Sequence, residues 1–197
     1  MRQRIEKMQE AVRDPSLDKA RQQLDFDGPL HDANSAQQAI DKVGQAKKLL
    51  SEVRQCHLKD IRQQELNEAM EFFDRGIRRF SRHSEEASFD NAAKTAQSYI
   101  ENGKAEFESQ LGTLHGLSFS ILWRQEWFAI DMFKSVSKSS HDFENPAEYA
   151  ELVARGNEAL KANDIDRLRE VIMQLNAARS GQGGVDDFSA LVNIVKA

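Results

Sequence analysis

The chain has 197 residues and a formal net charge of −5, and 30% of its residues are charged. This length is typical of one domain, or of one domain with an arm, and it suffices to bury a hydrophobic core without disulfides. The acidic balance argues against a nucleic-acid-binding protein, because such proteins need a basic face. Charges of both signs are interspersed, so neither a basic nor an acidic tail is indicated.

The cysteine content and the polar N-terminal residues both bear on the compartment. Cys56 is the single cysteine, which excludes an internal disulfide and a zinc site built from several thiolates. Residues 1–14 are charged throughout and lack the apolar core of a secretory signal. The longest apolar stretch, residues 117–123, is much shorter than the roughly 18 residues that a membrane-spanning helix requires. We therefore expect a cytoplasmic protein that does not associate with membranes.

Apolar residues recur at helical spacing along the chain, and Gly (10) and Pro (3) are scarce. No segment alternates apolar and polar residues as a β-strand does. The sequence predicts an all-α fold: an antiparallel helical bundle with a C-terminal tetratricopeptide-like helical hairpin and a short amphipathic tail helix. The predicted segments are a charged N-terminal arm and short helix (1–33), a helical bundle (34–138), a hairpin packed on that bundle (139–180), and a Gly-rich linker with the tail helix (181–197).

Within residues 35–81 the apolar pattern does not decide between one long helix and a hairpin bent near Cys56 and His57. No proline forces a break there. The first half of this segment predicts a buried stripe made of Ile40, Val43, Leu50 and Val53.

Ser84 is the expected N-cap of the next helix, because Glu85 and Glu86 follow it in the first turn. Asn102 and Gly103 indicate the end of that helix. Residues 104–137 then form the most apolar helical segment. Gly112 and Gly116 lie inside its pattern, where they mark either a kink or close helix contact, or a loop between two helices.

The hairpin has the clearest boundaries in the chain. Asn145 caps its first helix with Pro146 at the first helical position, and Asn163 ends that helix before Asp164 caps the second. We interpret the small residues Gly156 and Ala159 as the point where these two helices cross closely. No second copy follows at the period of about 34 residues that a repeat array has, so the hairpin must pack on the rest of the chain.

The sequence lacks the motifs that carry common chemistry. There is no phosphate-binding loop, and no histidine has a Glu three residues earlier, as di-iron bundles require. His83 and Glu86 are spaced so that they could share a metal, but helix capping and solvated charge explain them better. We predict that the chain is not an enzyme and that it holds no cofactor or metal.

Two sets of residues are candidates for protein interaction. One is the apolar face of the tail, which must dock on its own domain or on another chain; exchange between protomers through the Gly-rich linker would make a homo-oligomer. The other is an arginine stripe that could hold an acidic partner or a phosphate, although nearby carboxylates such as Glu71 and Asp74 favour a salt-bridged face. The tail residues are Phe188, Leu191, Val192 and Val195, and the stripe consists of Arg75, Arg78, Arg79 and Arg82.

A resemblance to a known family covers residues 73–175. Its first part comprises Ser84 to Asn91 with Thr95-Ala96-Gln97, and Trp127, Phe128 and Phe133 fit the segment after it. Its second part comprises Phe143, Asn145-Pro146, Leu152-Val153, Gly156, Ala159-Leu160, Asp164, Leu168-Arg169 and Leu175. These residues resemble the C-terminal helical region, the lid and its extension, of DnaK-like heat-shock chaperones of the 70-kDa class.

The resemblance implies a non-catalytic domain of a stress-response chaperone that acts as a lid or as a protein-interaction region. Its partners would be a substrate polypeptide or a co-chaperone, with no role for nucleic acid or membrane. ATP would bind only in an ATPase domain that this sequence lacks, so no nucleotide-contacting residue can be carried over. The alternative is a free-standing helical adaptor or scaffold protein that uses the tetratricopeptide-like hairpin.

Overall fold

The computed structural model describes residues 1–25, 33–138 and 143–178. In these residues the secondary structure is helical without strands, which confirms the all-α prediction, while the predicted tail helix lies outside them. The α-helices are α1 (Arg2–Ala11), α2 (Pro15–Gln23), α3 (Ala33–Cys56), α4 (Leu58–Phe72), α5 (His83–Glu101), α6 (Phe107–Trp123), α7 (Glu126–Val136), α8 (Pro146–Lys161) and α9 (Ile165–Ala178). A π-helical turn, Phe73–Ile77, and a 3₁₀ turn, Arg78–Phe80, follow α4.

The packing divides the chain into two compact units. Unit 1 consists of Met1–Ala69 and Ala93–Leu111, and unit 2 consists of Met70–Ala92 and Gly112–Ala197. Helices α4, α5 and α6 contribute residues to both units. The sequence predicted four consecutive segments: an arm, a bundle, a hairpin and a tail. Each compact unit instead combines two segments that are separated in sequence.

The N-terminal helices contribute to an aliphatic cluster in unit 1. Asp14 caps α2 by accepting a hydrogen bond from the Ser16 amide at 2.8 Å, and Pro15 occupies the first turn. The buried side chains of α1 and α2 pack against the second half of α3 and the start of α4. They form one cluster: Ile5, Met8, Val12, Leu17, Ala20, Ala46, Leu50, Val53 and Ile61.

The predicted buried stripe of α3 is half wrong. Leu50 and Val53 are buried, but Ile40 is 63% exposed and Val43 is 36% exposed. The apolar spacing continues along the whole helix, whereas the buried cluster of unit 1 includes α3 residues only from Ala46 onward.

The open question over residues 35–81 resolves as two helices that meet at His57. Backbone hydrogen bonds continue through this residue, from its amide to the Val53 carbonyl and from the Ile61 amide to its own carbonyl, both at 3.0 Å. The Arg54 guanidinium reaches the Glu65 carboxylate at 2.8 Å. Eleven residues of straight helix span about 16 Å, beyond the reach of these two side chains, so the chain bends at His57.

An ion-pair network around the buried Arg62 guanidinium joins α4 to α6 within unit 1, and its carboxylate, Glu108, is 47% exposed. Arg62 is only 5% exposed; its guanidinium donates to both oxygens of Glu108, at 2.7 and 2.8 Å, and to the Lys104 carbonyl at 2.9 Å. Arg54 connects this pair to Glu65, since its Nη2 lies 3.5 Å from Glu108. Burial raises the pKa of Glu108, but the Arg62 hydrogen bonds and charge outweigh burial, so the pKa is lowered overall.

The apolar segment 104–137 contains two helices, α6 and α7, with the break at Arg124 and Gln125. Helix α6 runs through Gly112 and Gly116, and a Cβ at either glycine would meet no atom within 4 Å. The predictions of a loop and of a close helix contact at these glycines are therefore wrong, and a kink there stays a prediction. At the break, the Arg169 side chain caps the C-terminus of α6 by donating to the Trp123 and Arg124 carbonyls at 3.1 Å each.

Helices α8 and α9 form the predicted hairpin. Asn145 caps α8 by accepting from the Ala147 and Glu148 amides at 3.2 Å. Asn163 ends the helix in the left-handed conformation, with φ 55°. The Asp164 amide then bonds to the Ala159 carbonyl, closing the turn.

The reason for a small residue at position 156 differs from the prediction. A Cβ on Gly156 would overlap the ring of Phe133, which belongs to α7 and not to the second hairpin helix. Gly156 therefore leaves the space that the Phe133 ring of α7 occupies. The hairpin buries its inner face with α7 in one cluster: Ala129, Phe133, Val136, Phe143, Leu152, Ala159, Ile165, Leu168, Val171, Ile172 and Leu175.

Candidate functional site

The two candidate sets predicted from the sequence have different outcomes. The tail residues Phe188, Leu191, Val192 and Val195 lie outside the described residues. The four arginines are described, and all belong to unit 2. They do not lie on one regular α-helical face, because the π-helical turn and the 3₁₀ turn replace the α-helix there. The Arg78 amide bonds to the Phe73 carbonyl five residues back, which adds a residue to that turn.

Two of the four arginines are held by carboxylates. Arg75 contacts Glu71 at 2.6 Å, one helical turn away. Arg78 contacts Asp74 at 2.7 Å, and its guanidinium also lies 3.4 Å from Asp90 and 3.5 Å from Glu86. It lies over the ring of Phe73, which stacks on Phe89 with 3.7 Å between ring centroids. These two arginines form the salt-bridged surface that the nearby carboxylates indicated.

The other two arginines have a different environment. The guanidinium of Arg79 lies 4.6 Å above the centroid of the Phe80 ring, and Phe80 in turn packs against Trp127 at 5.8 Å. Arg82 is exposed and lies near Glu85, where it contributes to lowering the pKa of that carboxyl. Among the described residues, neither guanidinium forms an ion pair with a carboxylate within 4.0 Å.

The Glu85 carboxylate binds two donors, the Arg82 amide and the Arg124 guanidinium, and the sequence did not predict its pairing with Arg124. Helix α5 begins at His83, so Ser84 lies inside the helix and the prediction that it is the N-cap is wrong. The Glu85 carboxylate accepts from the Arg82 amide at 2.8 Å. Both carboxylate oxygens also accept from the Arg124 guanidinium. The Arg124 hydrogen bond, followed by the Arg82 amide, lowers the pKa of Glu85 to about 2. The carboxylate is thus fixed at the start of α5 and fully ionised at neutral pH.

Arg124 also borders an open polar cleft at the turn of the hairpin. Arg169 lies in this cleft and holds Asp166 at 2.8 Å while it caps α6. No local pattern marks Arg169 for this role, since its carbonyl partners lie 45 and 46 residues away in sequence. The lining contains both signs of charge: Arg124, Glu126, Ala162, Asn163, Asp164, Ile165, Asp166 and Arg169.

The His83 and Glu86 pair has a structural explanation. Glu86 accepts a hydrogen bond from the Ser81 hydroxyl at 2.9 Å and contacts Arg78, so its carboxylate stabilises the turn before α5. Across residues 1–25, 33–138 and 143–178, no group of three or more His, Cys, Asp or Glu side chains is placed to hold a metal ion.

None of the described helices combines the length and the apolar character needed to cross a membrane. Comparison of the chain with protein-family models, with curated proteins and with solved structures finds no match.

Proposed function

We propose that this chain is a non-catalytic helical domain of a DnaK-like molecular chaperone, which acts as a lid or as a protein-interaction region. Its partner would be a substrate polypeptide or a co-chaperone. The proposal rests on the resemblance over residues 73–175 and on the packed α8–α9 hairpin. Cytoplasmic localisation belongs to the same proposal.

The observation that carries the proposal is where the resembling residues lie in the hairpin. Phe143, Leu152, Ala159, Leu168 and Leu175 are each at most 8% exposed and belong to one cluster. Because buried positions determine how helices pack, this resemblance supports a shared helical architecture. The step from architecture to chaperone function is made by analogy.

Suppression of aggregation tests the proposal. A reporter enzyme is heated until it aggregates, and light scattering is recorded with and without stoichiometric amounts of the chain. A substrate-binding chaperone domain should delay scattering for several unrelated reporters, because it binds unfolded polypeptide and not one sequence. Serum albumin at equal mass is the control for crowding. No delay with any reporter, even at excess chain, would overturn the proposal.

The second candidate is a free-standing adaptor, which the tetratricopeptide-like hairpin favours. An adaptor binds a folded partner at fixed stoichiometry and leaves unfolded reporters unprotected. Deleting residues 186–197 shows which part of such an adaptor binds the partner. If the shortened chain no longer binds a purified partner, the contact lies in the tail. Retention of the partner would assign it to the helices.

A further inference from the structure

Among the described residues, Arg75 and Arg78 form ion pairs with carboxylates, whereas Arg79 and Arg82 do not. This difference points to a binding surface. Four carboxylates that lie within eight residues of Arg79 or Arg82 in the sequence, Asp74, Glu85, Glu86 and Asp90, bond to other groups. Glu85 is held by Arg124 and by the Arg82 amide. Asp74 and Asp90 are held by Arg78, and Glu86 by Ser81 and Arg78.

From this arrangement we infer that Arg79 and Arg82 form the docking surface for an acidic segment of a partner polypeptide. The inference rests on the proposed function, for which it names the chemistry of the partner. Both side chains are exposed. A guanidinium offers paired N–H donors that match the two oxygens of a carboxylate, so aspartate and glutamate side chains are suitable ligands.

Both arginines lie in the hydrogen-bonded segment between α4 and α5. Arg79 lies within the 3₁₀ turn, and Arg82 lies just before α5, with its amide bonded to Glu85. Arg79 is further restrained by its position over Phe80, which packs against Trp127. A cation that is already ordered loses less side-chain entropy when it binds a carboxylate.

The number of available arginines favours a short acidic polypeptide over nucleic acid. Nucleic-acid affinity requires many simultaneous phosphate contacts. Two arginines that form no ion pair within 4.0 Å supply too few of these, but they suffice for two or three carboxylates of one segment.

Binding of a fluorescein-labelled peptide rich in Asp and Glu tests the inference by fluorescence anisotropy at low ionic strength. Replacing both Arg79 and Arg82 with alanine should weaken affinity about fivefold or more, as expected for two exposed ion pairs. Arg75→Ala is the matched control, since it removes the same charge from an arginine that Glu71 already holds. That control should stay within about twofold of the original affinity, because its partner is internal.

Several results would overturn the inference. They are equal binding of a neutral peptide of the same length, equal weakening by Arg75→Ala, and displacement of the peptide by stoichiometric inorganic phosphate. Tighter binding of single-stranded DNA with the same number of charges would reject the polypeptide as partner. The charge-preserving pair Arg79→Lys and Arg82→Lys keeps the test valid if the alanine variant fails to fold: it should bind more weakly than the original chain, because lysine lacks the paired donors.

The aggregation assay separates this inference from the proposed function. If the acidic peptide does not bind while the chain still delays aggregation, only the acidic docking surface is rejected. If the peptide binds as expected and aggregation is not delayed, the chaperone proposal is rejected and the acidic docking surface stands.

Discussion

The two units use charge in opposite ways. In unit 1 a guanidinium is buried: Arg62 is 5% exposed and bonded to Glu108, with Arg54 and Glu65 attached. In unit 2 the ion pairs of Arg75 and Arg78 lie at the surface, and the interior depends on aromatic stacking and on the fit of Phe133 over Gly156. Buried pairs leave an uncompensated charge when one partner is lost, whereas exposed pairs contribute little. Unit 1 should therefore be more sensitive to charge and unit 2 more sensitive to volume.

The largest effect is expected from Glu108→Ala in unit 1. The substitution leaves the buried Arg62 guanidinium bonded to the Lys104 carbonyl but without its carboxylate. It should lower the free energy of unfolding by about 2 to 3 kcal/mol, because Glu108 is half exposed and water can take part of its place. Urea unfolding followed by circular dichroism measures the change. The double variant Arg62→Met with Glu108→Leu should recover most of the loss, since it removes both charges. A loss below about 0.5 kcal/mol would mean that water reaches Arg62 and that the contrast between the units fails.

A volume change in unit 2 should come next. Gly156→Ala forces a methyl group against the Phe133 ring and should cost about 2 kcal/mol. The fluorescence of Trp123 and Trp127 reports on unit 2, because both tryptophans of the chain belong to it. Combining Gly156→Ala with Phe133→Leu should restore part of the stability, and Gly112→Ala is the matched control because its Cβ meets no atom within 4 Å. If the control is destabilised as much as Gly156→Ala, the steric explanation is rejected.

The bidentate pair of Glu85 and Arg124 in unit 2 should give a smaller, pH-dependent effect. Because the folded-state pKa of Glu85 is lowered to about 2, its contribution to stability is present above pH 4.5 and is lost as pH falls toward 2. Solvent screening reduces that contribution to about 1 kcal/mol. Glu85→Gln should therefore destabilise the chain at pH 7 and have less effect at pH 3, as measured by urea unfolding at both values. The exposed Glu151→Gln serves as the control, and an equal effect of both variants at both pH values would contradict the assignment.

Local signals in the sequence specified the fold better than they specified its contacts. The helical class, the Asn145 start of α8 and the Asn163–Asp164 turn were predictable, because capping residues act within four positions of one another. The capping of the break at Arg124 by Arg169 was not predictable, because the two residues lie 45 positions apart in sequence. The environment of the arginine stripe was not predictable either. The helical spacing predicted four arginines on one face, but a π-helical turn interrupts that face, and carboxylates pair with only Arg75 and Arg78.

The smallest effect is expected at the exposed apolar residues of α3, and it tests whether burial along α3 begins at Ala46. Ile40→Ser changes a side chain that is 63% exposed and should alter the free energy of unfolding by less than about 0.5 kcal/mol. Val53→Ala, in the same helix but 2% exposed, should cost about 2 kcal/mol, because it removes two buried carbons and leaves a cavity. Urea unfolding of both variants gives the comparison directly. A loss at Ile40 equal to that at Val53 would show that the predicted stripe is buried along the whole helix in solution, and the aliphatic core of unit 1 would then extend beyond the cluster formed by α1, α2 and the second half of α3.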